Sequence, residues 1–212
     1  MARDRTRPQP KLPTRDRVLD AAERLLAGGS AAFSMRELAE ETGVSFATPF
    51  NQFGSKAAIM LALTARRVAL IQEQFAKAAR PDTATARVLL AADIAASVML
   101  AAPAVNRAIT AAISAPSDEA SDASYRSAAL WAEALADGKA LLPATRPLAL
   151  ALLPGQLAMA FRGVLSFWTA GEIPDRLFKK CARAAAATVL LGFVSRDDRI
   201  HLIGLLEDVP QS

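Results

Sequence analysis

Two residues, Thr42 and Gly43, are all that separate one short helical segment from the next in the stretch "SMRELAEETGVSFATPFNQFGSK" (Ser34–Lys56). A break this short forces two helices to cross closely, and few folds allow that. Ser34 followed three residues later by Glu37 forms a capping box, in which side chains and backbone N–H groups satisfy each other at a helix start. Met35, Leu38 and Ala39 then make an apolar stripe, with small Ala39 suited to a close crossing. Gly43 supplies the positive φ that a sharp helix-terminating turn requires. Upstream, Thr14 precedes "RDRVLDAAERLLAGG", whose Val18, Ala21, Ala22, Leu25 and Leu26 recur at helical spacing before Gly28 and Gly29. One longer helix and two short ones around a tight turn form a tri-helical helix-turn-helix layout.

The second short helix of such a unit lies in the DNA major groove with its N-terminal residues near base edges. Val44 and Phe53 are expected to anchor it, leaving Phe46, Thr48, Asn51 and Gln52 to face outward. Pro49 leaves two starts open for this helix. With Ser45 as N-cap, proline occupies the fourth helical position; with Thr48 as N-cap, it takes the favoured first position. The residue before a proline avoids the α region, which supports the later start.

These residues resemble the DNA-binding domain of the tetracycline-repressor (TetR) family. The family pattern is a Ser/Thr-capped helix ending in Ala-x-x-x-Gly-Val, then Ser/Thr-x-x-Thr-x-Tyr-x-x-Phe and a short lysine-bearing turn. The resemblance covers about Thr14–Leu63, and beyond it is only architectural. It implies DNA contacts from Arg36, Ser45, Phe46, Thr48, Phe50, Asn51, Gln52 and Lys56, with Lys56 as a phosphate anchor. It also favours Ser45 as the cap. Two departures stand out: Phe50 replaces the usual tyrosine and its phenolic donor, and Pro49 replaces a branched apolar residue. Phe46 can touch thymine methyls but has no hydrogen-bonding atom.

Composition extends the helical reading to the whole chain. Of 212 residues, 52% are hydrophobic but only 6% aromatic, so alanine and leucine build the core and strand-forming runs are scarce. The expected fold class is all-α: a helix-turn-helix domain over 14–56, preceded by a disordered basic arm at 1–13 and joined by a long helix to a helical ligand-binding and dimerisation domain over 57–212. Helices are expected at about 56–79, 84–101, 104–114, 120–138, 146–170, 174–194 and 197–207. Within the first 17 residues, six basic side chains face two acidic ones, which suits a polyanionic partner.

The stretch Val88–Val105 is apolar, but Asp93 near its centre costs about 2.5–3.5 kcal/mol on membrane-insertion scales. It therefore reads as a core helix and the chain as having no membrane partner. Cys181 is the single cysteine and fits a reducing, cytoplasmic setting.

In the C-terminal part, Pro154–Gly171 is apolar nearly all round, and Pro174–Val194 carries small residues that allow close helix approach. Paired with symmetry mates, these helices would form a homodimer interface through Gly163, Phe167, Cys181, Ala184 and Ala185. The middle helices would enclose a small-molecule ligand among Met99, Ile109, Trp131, Met159 and Phe161, with Asp93, Asn106 and Arg107 as polar fixers. No cofactor, metal or enzyme activity is expected: His201 is the only histidine, and with one cysteine no usual zinc site can be assembled. The rival reading is an apolar-ligand carrier or partner-binding module whose helix-turn-helix does not read DNA.

Overall fold

A computed structural model describes residues 14–30, 33–114 and 123–208; the basic arm expected at 1–13 lies outside them. The chain divides into two compact units, Met1–Ile59 and Met60–Ser212. Ten helices and no strand occur among the described residues, and Leu141 and Val194 form an isolated antiparallel bridge.

The first unit holds α1 (Thr14–Ala27), α2 (Met35–Thr42), α3 (Ala47–Phe53) and the start of α4 (Lys56–Lys77). Helix α1 buries Val18, Leu19, Ala21, Ala22 and Leu26, the face its periodicity marks. At the start of α2, Glu37 N–H donates to Ser34 Oγ at 3.2 Å and Ser34 N–H donates to Glu37 Oε2 at 2.7 Å. A box of this kind stabilises a helix start by about 1 kcal/mol. The other end closes on Gly43 at φ 69° and ψ 41°, where Gly43 and Val44 N–H groups return to the Glu40 and Ala39 carbonyls. Arg17 donates to the Thr42 carbonyl at 3.0 Å and Arg24 to Glu41 at 2.6 Å, tying α1 to this turn.

The second unit contains the rest of α4, then α5 (Ala84–Leu100), α6 (Pro103–Ser114), α7 (Ala123–Leu135), α8 (Arg146–Thr169), α9 (Asp175–Leu190) and α10 (Arg196–Glu207). Alanine-rich α5 is central, packed by α7 and α9, while α8 packs on α7, α9 and α6. Its alanines 84, 91, 92, 95 and 96 are all buried, so close approach rather than side-chain bulk fills this layer. Arg87 is buried too, and its guanidinium donates to the Ala134, Leu135 and Asp82 carbonyls, satisfying the end of α7.

Some boundaries differ from the sequence reading. Pro103 does not merely end α5; it opens α6, where a missing N–H costs nothing. The chain bends by 104° there, so Val88–Val105 is not one straight helix. Helix α7 stops at Leu135 rather than 138, because Ala136 and Gly138 adopt positive φ. Helix α9 stops at Leu190, short of 194, as the chain turns into the Val194 bridge. By length and composition, α8 is apolar enough to cross a membrane. One side of it, with Leu153, Leu157, Phe161 and Trp168, is buried in this chain, while Leu148, Leu152, Met159 and Phe167 are exposed.

Candidate nucleic-acid interface and ligand cavity

Helix α3 is two turns long and follows the Gly43 turn directly. The helix is counted from Ala47, but Phe46 already has α angles, with no side-chain cap, and the Thr48 N–H donates to the Ser45 carbonyl at 2.9 Å. The start is thus nearer Ser45 than Thr48. The Ser45 hydroxyl does not cap the backbone; it shares a 2.8 Å hydrogen bond with the Thr48 hydroxyl.

Burial reverses one expected assignment. Pro49 is the buried residue of α3, whereas Phe53 is only half-buried, its ring covered by the Arg15 guanidinium at 4.7 Å. Proline's flat ring, lacking an N–H, suits an inward position near a helix start. Phe46 and Phe50 are 58% and 43% exposed and meet edge to face, ring centroids 5.7 Å apart. Asn51 and Gln52 are exposed beside them, and Thr48 is half-buried. Ser34, Met35 and Arg36 join the two phenylalanines around a shallow surface concavity.

Two cations flank this face. Arg36 is exposed and lies 3.7 Å from Glu40. Lys56 stands over the Phe33 ring, its ammonium 4.4 Å from the centroid. Partial burial lowers the Lys56 pKa, and the nearby Glu37 charge opposes that. Glu37 is itself held below the ordinary carboxylate value, chiefly by the Ser34 backbone N–H, then by the Ser34 hydroxyl, with Lys56 adding less. Two cations beside exposed donors and apolar rings can meet phosphates and base edges.

In the second unit, a cavity of about 640 Å³ lies among α4 to α8. Met99, Ile109, Trp131, Met159 and Phe161 line it, as the sequence suggested. Asp93 and Asn106 do not. Asp93 bonds Arg183 and lies 3.8 Å from Lys179, joining α5 to α9. Asn106 is wholly buried in hydrogen bonds to Arg67 and to α5 carbonyls. Arg107 is committed elsewhere as well, stacked over Trp168 and paired with Asp175 at 2.6 Å. The polar lining that sequence reasoning missed comprises Thr64, Arg67, Thr110, Ser127, Arg162 and Ser166. On sequence alone each looks like an ordinary solvent-facing residue.

Of the residues expected at a dimer interface, Phe167 is exposed and Gly163, Cys181, Ala184 and Ala185 are half-buried. His201 is exposed on α10. No cluster of three metal-ligating side chains occurs among the described residues.

The tight turn between α2 and α3, packed on α1, makes up a helix-turn-helix unit with α3 exposed and two cations beside it. Residues 18–63 match the family model described as bacterial regulatory proteins, tetR family. Solved structures agree in fold. A TetR transcriptional regulator from Rhodococcus sp. RHA1 is similar at TM-score 0.64 and 21% identity, over 84% of this chain and 96% of that one. A chain from Shewanella sp. PV-4 is similar at 0.57 and 18%, over 87% and 100%. A TetR transcriptional regulator from Agrobacterium tumefaciens is similar at 0.51 and 20%, over 91% and 99%. No curated protein matches the chain by sequence.

Proposed function

We propose that this chain is a cytoplasmic, ligand-responsive repressor that binds a pseudo-palindromic operator as a homodimer and leaves it when a small apolar ligand enters the cavity. The observation that carries the reading is the outward face of α3, where Phe46, Phe50, Asn51 and Gln52 are exposed while Pro49 turns inward. A pair of exposed phenylalanines on a short helix after a tight turn has a use if the rings meet thymine methyls and the sugar-phosphate backbone. Arg36 and Lys56 would supply phosphate contacts, and Ser45 and Thr48 would contact backbone or bases.

Two such helices must sit about 34–36 Å apart to reach successive major grooves of one DNA face. A homodimer meets that need, and the exposed apolar side of α8, with Phe167 and Gly163, is the surface we assign to it along with Cys181, Ala184 and Ala185 of α9. Covering that side with a second copy also leaves the reading free of any membrane role. A ligand shifts the equilibrium only by its differential affinity for the two conformations, and α4, which lines the cavity, is continuous with the first unit.

Selection of bound duplexes from a random pool, with and without a small-molecule library, tests the reading. A palindromic winner released by one compound is the expected result. One observation favours a second reading, an apolar-ligand carrier: the two most exposed rings of α3 bear no polar atom. Binding with no preference over random duplex, and with a salt slope near zero, would establish the carrier instead.

A further inference from the structure

We infer that α10 pairs antiparallel with α10 of a second copy of this chain, through Ile200, Ile203 and two exchanged Arg196–Glu207 ion pairs. The contact uses a different helix from the α8 and α9 surface assigned to the homodimer, and adds to it.

Helix α10 packs on α9, with Leu202 in the core and Leu205 and Leu206 against it. Its outer side carries two large apolar residues in solvent, Ile200 at 64% and Ile203 at 42% exposure. Arg196 and Glu207 are exposed as well, and neither makes an ion pair among the described residues. At about 100° per residue, the four side chains fall within an arc of roughly 60° and form one stripe. A single exposed isoleucine is ordinary; this ordered set is not.

The symmetry of the stripe points to a second copy as its occupant. From Arg196 to Ile200, Ile203 and Glu207 the steps are four, three and four residues, the spacing of a coiled-coil seam. Read backwards, the spacing is the same and the end charges change places. A two-fold axis at the middle of the helix therefore sets Ile200 against the partner's Ile203, and Arg196 against the partner's Glu207. That is an isologous contact with opposite charges at both ends. A parallel partner would set Arg196 against its own like. Gly204, exposed beside Ile200, has no side chain to hold a facing helix away.

The placing of the charges is a second observation. A helix favours acidic side chains at its start and basic ones at its end. Arg196 opens α10 and Glu207 closes it, the reverse of that order, although Asp197 and Asp198 serve the first turn. An antiparallel copy brings a carboxylate to the positive end of the helix and a guanidinium to the negative end. A local charge arrangement that works against its own helix is thus matched between copies. Two helices of this length bury less than a stable interface needs. The contact therefore reinforces an association held mainly by another surface, and rests on the homodimer reading for its strength.

Cysteine cross-linking tests the register. In the full chain carrying Cys181→Ala, Arg196→Cys and Glu207→Cys are made singly and together. At about 1.5 Å per residue these positions stand roughly 16 Å apart on one helix, beyond the reach of a disulfide. Under mild oxidation, the doubly substituted chain and an equal mixture of the single variants should both give covalent dimer on a denaturing gel. Either single variant alone should give about tenfold less, because its thiols are held apart. Charge exchange in the otherwise native chain supplies a second reading by sedimentation equilibrium. Arg196→Glu and Glu207→Arg should each weaken self-association by a few-fold, and the two together should restore it. The inference is overturned by equal cross-linking in a single variant, by none in any, or by a double exchange no better than the single ones. A native chain that sediments as a dimer but gives no cross-link overturns α10 pairing and leaves the homodimer reading intact; a monomer overturns both.

Discussion

Arg67 Nε donates to Oδ1 of Asn106 at 2.7 Å, joining α4 to α6. The Asn106 amide in turn donates to the Val98 and Met99 carbonyls at 3.1 and 2.8 Å, in the last turn of α5. One fully buried side chain therefore fastens three helices and satisfies two helix-end carbonyls. It also fixes the arm of an arginine that lines the cavity.

Replacing Asn106 with alanine removes all three bonds at once. Orphaned buried polar groups cost about 1–3 kcal/mol each before relaxation, so a net loss of about 2–4 kcal/mol is expected. For a chain of this size that corresponds to a fall of roughly 5–15 °C in Tm, read by circular dichroism. An unchanged Tm would show that the three-helix junction is held by packing alone.

The Glu37 carboxyl makes stability of the first unit sensitive to acid. Its folded pKa lies below the ordinary value of 4.5, first because of the Ser34 backbone N–H, then the Ser34 hydroxyl, and least Lys56. The unfolded chain then binds a proton more readily, so this contribution is complete above the unfolded value and is lost as pH falls through the folded one. Glu37→Gln keeps an acceptor for the capping box but removes the titration. The native protein should be the more stable at neutral pH, and the two should converge below about pH 4. Parallel stability curves across that range would contradict this account.

Cys181 should be a slow thiol. It is half-buried on α9, and burial raises its pKa while Lys180 opposes the shift more weakly. Because the thiolate is the nucleophile, reaction with a chromogenic disulfide at pH 8 should be about tenfold or more slower in the native protein than in denaturant. Equal rates would place the sulfur in open solvent.

Local features were readable from sequence because their causes lie within a few residues. The Ser34–Glu37 box and the Gly43 turn are three- and four-residue interactions, and both occur as expected. The need of Asp93 for a partner was equally plain, since a carboxylate on an apolar helix is costly alone. Its partner was not, because Arg183 lies 90 residues away and only tertiary packing brings it near. Helix α3 misled for another reason. In seven residues the apolar side is defined by two or three side chains, so Pro49 and Phe53 could not be ranked by periodicity. The polar cavity wall was hidden for a third reason: in sequence, Arg67 and Arg162 look the same whether they face solvent or the edge of a cavity.

Phe46 and Arg36 separate two kinds of DNA contact. Phe46 is 58% exposed, so Phe46→Ala should leave Tm nearly unchanged while weakening binding to a selected duplex by about tenfold, the scale of a single lost apolar base contact. Because no charge is removed, the dependence of affinity on salt should stay the same. Arg36 offers the converse case: it is exposed and only loosely paired with Glu40. Arg36→Gln should weaken all duplexes alike and reduce the salt slope by about one, as expected for a released phosphate contact. Fluorescence anisotropy over a salt series reads both effects on one duplex. If Phe46→Ala lowers Tm yet spares affinity, the ring serves α3 by packing on the Phe50 ring; if Arg36→Gln changes sequence preference instead of slope, the guanidinium reads a base rather than a phosphate.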